Sequence, residues 1–196
     1  KLGKADNLTI CVPSGNFGNI TAGLFAQRMG LPIMNFIAAN NANDIFYNYL
    51  LSGIYSPKAS IQTIANAMDV GDPSNFARIL DLYKSSHAEI CNHISGATYS
   101  DDEIAATMKK CYEQTGYVLD PHGACGYQAL KDNLKEGETG VFLETAHPAK
   151  FKEKVDAILS TDIEIPTRLA DFMKGKKQSL EMAADFSAFK QFLLSV

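Results

Sequence analysis

Residues 8–32, LTICVPSGNFGNITAGLFAQRMGLP, constrain the fold more than any other stretch of this chain. An apolar, β-branched run (8–12) leads into Ser14-Gly15-Asn16-Phe17-Gly18-Asn19. A helical pattern over 18–29 follows and closes at Gly30, just before Pro32. A buried strand therefore feeds a glycine-bearing turn that opens a helix. Such a turn gathers backbone amides and the positive end of the helix dipole at one point, a seat for phosphate. Gly15 and Gly18 put no Cβ in the way, and Ser14, Asn16 or Asn19 can cap the helix or donate further hydrogen bonds. The same residue types serve an ordinary βα connection, so the local pattern leaves both readings open.

The rest of the chain repeats the alternation. Residues 33–37 read as a second strand and 43–51 as a helix ended by Ser52-Gly53, which is βαβ arithmetic with right-handed crossovers. Residues 54–72 read as loop with a short ordered segment near 60–65, and 73–83 as a helix with Pro73 in its first turn. A further helix is expected over 86–94. Ser100-Asp101-Asp102-Glu103 is a capping box for a helix running to Thr115 and stopped by Gly116. Residues 116–119 read as extended. Asp120-Pro121 caps and opens a helix over 121–134, and GVFLET (140–145) reads as a third strand. Helices are expected over 148–159, 166–173 and 180–194, the last with an apolar stripe of Phe186, Phe189, Phe192 and Leu193. The pattern predicts an α/β fold: an open, mainly parallel sheet with helices on both faces, plus additional helices. Residues 1–160 are expected to form the α/β domain and 161–196 a helical extension.

Composition narrows the function classes. At 196 residues the chain can bury about 70% of its unfolded surface as one domain with an appendage. Its 46% hydrophobic and 20% charged residues are those of a soluble globular protein. A net charge of −4 argues against nucleic acid or an anionic membrane as main partner, though not against a small anion held locally. Cys11, Cys91, Cys111 and Cys125 form no C-x-x-C pair, which fits reduced thiols in the cytoplasm better than a metal cluster or disulfide framework. No apolar run reaches the length of a membrane span, and no signal-like segment opens the sequence. What reads as a central strand begins within a few residues of Lys1, where a buried parallel strand wants neighbours on both sides. The chain is thus expected to be part of a longer polypeptide.

Four further segments, set beside VPSGNFGNITAGLFAQRMGLPI, carry a family resemblance. They are AANNANDIFYNYLLSGIY (38–55), NAMDVGDPSNFARIL (66–80), LDPHGACGY (119–127) and ETAHPAKF (144–151). In this order and spacing they closely resemble the threonine synthase family, pyridoxal-phosphate enzymes of fold type II, and the resemblance covers essentially the whole chain. It implies a lyase of threonine biosynthesis that converts O-phospho-L-homoserine and water to L-threonine and phosphate. Gly15, Asn16, Phe17, Gly18 and Asn19 are similar to the family's loop for the 5′-phosphate of pyridoxal phosphate, bound mainly through backbone amides. Thr145 is implied to hydrogen-bond the pyridine nitrogen. A neutral hydroxyl there leaves that nitrogen largely unprotonated and moderates the cofactor's electron withdrawal. Read without the family, Thr145 is a strand-end threonine capping the next helix. Glu144 departs from the small residue that the resemblance leads one to expect, which bears on packing behind the ring.

His122 and His147 both sit at expected helix starts, where a structural role for a turn is as good a reading as proton transfer; neither is assigned a catalytic role. Asp120 reads as a cap, Cys125 as a packed thiol and Lys150 as a solvated cation. The family's Schiff-base lysine lies in an Ala-Phe-Lys-Asp-like motif of its N-terminal half, and this sequence has none. Ala149-Lys150-Phe151-Lys152 belongs to the other motif. The expectation is therefore a C-terminal portion of such an enzyme, with no catalytic residue assigned, inactive alone, whose main partner is the N-terminal half of the same polypeptide. The alternative is a stand-alone module binding a phosphorylated metabolite. A dinucleotide-binding domain is weaker, because G-x-G-x-x-G is absent and no acidic residue closes the second strand. Another fold type II lyase or synthase fits the 119–127 and 144–151 segments less well.

Overall fold

The computed structural model describes residues 7–196; residues 1–6, where the expectation of a preceding segment begins, lie outside the described residues. The chain divides into two compact units, Lys1–Ile163 and Glu164–Val196. In the first, strand β1 (Leu8–Pro13) is followed by helix α1 (Gly18–Arg28), β2 (Ile33–Asn40), α2 (Ile45–Ser52), α3 (Phe76–Leu82) and α4 (His87–His93). Then come β3 (Ile94–Thr98), α5 (Asp101–Thr115), α6 (Pro121–Asn133), β4 (Thr139–Phe142) and α7 (Lys152–Leu159). The second unit holds α8 (Thr167–Met173) and α9 (Phe186–Ser195).

The four strands form one sheet, in the order β3-β2-β1-β4, and every pairing is parallel. Both faces are apolar because helices cover both. On one face Val12, Phe36, Ala38 and Ile94 pack with Ile20 and Leu24 of α1, Phe46 and Tyr49 of α2, and Phe76 and Ile79 of α3. On the other, Cys11, Ile37, Ala39 and Ala97 meet Met108 of α5, Ala124, Cys125 and Ala129 of α6, and Val155 of α7. Alternate strand residues thus feed two cores. The second face admits its helix closely: a Cβ on Gly126 would lie 3.1 Å from Pro13 Cγ.

The α/β class with a parallel sheet is as expected, while several elements differ from the sequence pattern. β3 is a strand where none was expected. It follows α4 without a turn residue, since the C-cap Ile94 is already extended at φ −130°, and its glycine is one that strand propensity disfavours. Gly96 lies under α2, where a Cβ would stand 2.9 Å from Leu50 Cδ1. The expected strand 140–145 ends instead at Phe142. Leu143 still donates to the Cys11 carbonyl at 3.0 Å, and Glu144 then leaves the sheet to place its carboxyl against Gly123 in the first turn of α6. Residues 116–119, expected as a short extended segment, form the link from α5 to α6, anchored by buried Leu119. The helix expected over 148–159 opens with a 3-10 turn, Pro148–Phe151, and α9 begins only where Asp185 caps the Ala188 amide.

The helix expected from 43 begins at Ile45, because Asn43 is engaged elsewhere: it exchanges hydrogen bonds with the Ile61 backbone at 2.7 and 2.9 Å. The segment expected near 60–65 has no regular structure, and a 3-10 turn forms at Asn66–Met68 instead. A knot of side chains holds this region. Asp69 Oδ1 accepts from Asn41 Nδ2, Asn43 Nδ2 and the Thr63 hydroxyl, and its Oδ2 from the Thr63 amide, all within 3.1 Å. The Ile64 amide donates to the Asp101 carboxylate at 3.1 Å.

Candidate functional site

β1 and β4 are neighbours, yet the connections from their carboxyl ends leave on opposite faces: α1 follows β1 on one side, and α7 follows β4 on the other. That arrangement opens a crevice beyond the carboxyl ends of the two strands, where open α/β sheets receive ligands. A cavity of about 230 Å³ lies there, lined by Pro13–Ile20, Ala67, Met68, His122 and Thr145. All six residues proposed from the sequence, Gly15, Asn16, Phe17, Gly18, Asn19 and Thr145, meet on it.

The helix start differs from the sequence expectation in an informative way. None of Ser14, Asn16 or Asn19 caps α1. Phe17 occupies the N-cap position in the left-handed region (φ 61°), and no side chain caps the helix. Ser14 is turned inward, its hydroxyl donating to the Val12 carbonyl at 2.8 Å and its amide to Ala39. Asn16 is held from outside: its Oδ1 accepts from the Ser74 amide (2.7 Å) and hydroxyl (3.0 Å), and Asn75 Nδ2 donates to its carbonyl at 2.8 Å. The first-turn amides of α1 are left without an internal or side-chain acceptor, facing the cavity with the positive end of the helix dipole. Among the described residues no carboxylate, lysine or arginine lines the cavity.

Gly15 makes the second wall possible. A Cβ there would lie 2.7 Å from Met68 Cα and 2.9 Å from the Ala67 carbonyl, so only glycine lets the 66–68 turn rest on the 14–19 loop. The Ala67 amide in turn donates to His122 Nε2 at 3.1 Å. His122 Nδ1 lies 2.6 Å from Asp120 Oδ1, which also accepts the His122 amide as the N-cap of α6. These bonds assign the ring: Nε2 is the acceptor and Nδ1 carries the proton. His122 is buried, its ring 4.7 Å from that of Phe151, and it works here as a brace between the 66–68 turn and α6.

Thr145 reaches the opposite lip, three residues beyond β4. Its hydroxyl makes no hydrogen bond to the described residues, and it caps nothing; His147 Nδ1 caps the following turn by accepting from Ala149 at 3.1 Å. Lys150 is exposed, with Nζ 5.8 Å from the Phe151 ring centre. Cys125 is fully buried, its thiol 3.2 Å from the Asn40 carbonyl, and burial pushes it strongly up; burial likewise pushes Cys11 up to about 12. Behind the wall, burial and then the hydrogen bond and charge of Asp120 push Glu144 up to about 8. Asp120, which burial alone would raise, is held low by the His122 ring, Glu144 and the His122 amide.

Ala67, Met68, Ser74 and Asn75 were not legible as site residues. They reach the turn through a long loop with no periodicity, and the run Asp72-Pro73-Ser74-Asn75 signals only a helix start. Among the described residues no group of His, Cys, Asp and Glu is placed to hold a metal ion, and no helix is long and apolar enough to cross a membrane.

Comparison with known proteins bears on the same residues. The family model described as "Pyridoxal-phosphate dependent enzyme" matches residues 2–145, and that described as "Threonine synthase, C-terminal" matches 123–193. The threonine synthase of Haemophilus influenzae is 47% identical over 191 residues, covering 97% of this chain and 44% of that protein. Among solved structures, threonine synthase from Escherichia coli superimposes with a TM-score of 0.85 at 41% identity, over 100% of this chain and 45% of its own. Threonine synthase from Brucella melitensis, solved with pyridoxal phosphate bound, gives 0.86 at 33% identity, over 98% of this chain and 47% of its own. The chain thus spans somewhat under half the length of the relatives it matches.

Proposed function

The chain belongs to the pyridoxal-phosphate-dependent enzymes, on its similarity to threonine synthases along almost its whole length, and from that membership we propose its role. It is the C-terminal portion of a cytoplasmic threonine synthase, which converts O-phospho-L-homoserine and water to L-threonine and phosphate. Its first unit carries the cofactor-phosphate domain, and its second is a helical extension.

The observation that carries the reading is the uncapped start of α1 beside the Gly15 cradle, on one cavity with an unengaged threonine hydroxyl. The residues fit the cofactor. Gly15, Asn16, Phe17, Gly18 and Asn19 would bind its phosphate through amides, with no side-chain cation to share the charge. The His122 brace keeps the 66–68 turn over that phosphate. Thr145 would hold the pyridine nitrogen with a neutral hydroxyl, fixing the ring's orientation without protonating it. When bound, the cofactor supplies electron withdrawal from the amino-acid carbon. Removing a proton from that carbon needs a lysine amine, and among the described residues no lysine or arginine lines the cavity. Alone, the chain turns over no O-phospho-L-homoserine.

Pyridoxamine phosphate tests the reading, because it has no aldehyde to label lysines at random. Saturable amide shifts at Gly15–Asn19, with Thr145 responding, are the expected result of an NMR titration of the full chain. Shifts absent from those residues, or phosphate release from O-phospho-L-homoserine by the purified chain, would count against it.

A further inference from the structure

Behind the cavity wall, two buried carboxyl oxygens have no donor. Asp120 Oδ1 accepts the His122 amide and Nδ1–H, but Asp120 Oδ2 has no partner, and neither has Glu144 Oε1. Both carboxyls lie against the first turn of α6: Asp120 is its N-cap, and the Glu144 carboxyl abuts Gly123, three residues on. Two orphaned acceptors brought to one helix turn can be satisfied together by one proton, as O–H···O. Two ionised carboxylates so placed repel, with burial removing the water that would screen them. The other titratable groups facing the pair are His122 on α6 and Tyr117 on the link before it, with Cys111 of α5 behind Tyr117. Among the described residues no lysine or arginine forms an ion pair with either acid.

We propose that Asp120 and Glu144 hold one proton between them, and that this proton positions the cavity wall by drawing the β4 exit, which carries Thr145, onto the start of α6, which carries His122. Asp120 keeps the charge, because it faces the two His122 donors at a helix N-terminus; Glu144 keeps the proton and donates to Asp120 Oδ2. The elevation of Glu144 described above agrees with this. When the shared proton leaves, the two segments separate, and the displacement passes through His122 to the Ala67 amide. The consequence for ligand rests on the reading of the cavity as a cofactor-phosphate seat; the proton itself does not. Both acids are positioning residues, since neither lines the cavity.

The test is an NMR titration of the ¹³C,¹⁵N-labelled full chain from about pH 6 to about 9.5. The Glu144 carboxyl carbon is expected to titrate near 8, with the Ala67 and Thr145 amides moving at the same midpoint. In Glu144→Gln, whose amide donates to Asp120 but does not ionise, those two amides hold still. Should that variant fail to fold, Glu144→Ala serves, again with a flat profile expected. A Glu144 carboxyl titrating in the ordinary range of about 4–5, or amides that still follow pH in the variants, would overturn the proposal. Pyridoxamine phosphate affinity is then compared at each pH as the ratio of wild type to Glu144→Gln, which cancels the ligand's own ionisation. Wild type is expected to match the variant near pH 6.5 and to weaken about five- to tenfold relative to it one pH unit above the midpoint. A ratio that stays flat overturns the positioning role. Absence of binding by either protein at any pH refutes the cofactor reading of the cavity, while the amide titration still decides the carboxyl pair.

Discussion

The amide of Ala67 donates to Nε2 of His122 at 3.1 Å, joining a 3-10 turn to the first turn of a helix 55 residues later in sequence. This one bond fixes the ring's tautomer, because Nε2 must accept, and so aims Nδ1–H at Asp120. His122→Ala takes the acceptor from the Ala67 amide and removes one of the two donors to buried Asp120 Oδ1, which keeps only the backbone amide of residue 122. The expected loss is about 1–3 kcal/mol in urea unfolding, with weaker pyridoxamine phosphate binding. Unchanged stability would show that the brace is ornamental.

Gly15→Ala tests the cradle. The added methyl meets the Met68 backbone at 2.7 Å, and backbone cannot swing aside as a flexible side chain can. Overpacking of this kind costs about 1–3 kcal/mol, and the 66–68 turn should lift from the loop. Isothermal titration should find pyridoxamine phosphate affinity reduced at least tenfold, as an order of magnitude for one displaced wall. Gly18→Ala is the control for stability alone, since its nearest neighbour in the protein, Asn75 Nδ2, is 3.7 Å away.

Ser74 and Asn75 separate affinity from stability. They grip Asn16 from the exposed rim, so losing them removes few buried contacts. The double variant Ser74→Ala/Asn75→Ala is expected to shift the melting midpoint by no more than about 2–4 °C. Its ligand affinity should fall several-fold as the turn loses its fixed aim. A large drop in melting temperature with unaltered affinity would be the opposite result.

Stability should depend on pH through the Asp120–Glu144 pair. Glu144 is raised, so between the ordinary glutamate value and about 8 the native state binds more protons than the unfolded state. Stability therefore falls as pH rises across that window. Asp120 is lowered, and its contribution is present above the unfolded aspartate value and lost as pH falls through its native one. Thermal melts of wild type should decline from about pH 5 to about pH 9, and those of Glu144→Gln should be flatter and a few degrees higher at the alkaline end. A wild-type profile flat across that range would contradict the assignment.

The part of this site that could be read from sequence is the part made of neighbours in sequence. Strand, turn and helix are contiguous over 8–29, so their periodicity and glycines suffice to place amides at one point. The Ala67 turn escapes such reading because it is held by Asp69, Asn41 and Asn43, side chains brought together by a loop of no fixed period. The strand β3 escapes it for a different reason: it follows α4 without a turn residue and carries Gly96, which strand propensity disfavours. Glu144 stood out in sequence only as an ill-fitting residue; its acidity acquires meaning beside Asp120, which lies 24 positions away.

A sheet apolar on both faces cannot use polarity to tell one face from the other. In β1, Cys11 points to the core where α6 lies close enough for Gly126 to touch Pro13, while Val12 points to the core filled by Phe36 and Phe46. Sliding β1 by a single residue would exchange those directions, pressing valine against a helix with no room for it and leaving a thiol facing the roomier, aromatic-filled side. The register of the central strand, and with it the height at which the Ser14–Asn19 turn emerges, is therefore selected by side-chain volume.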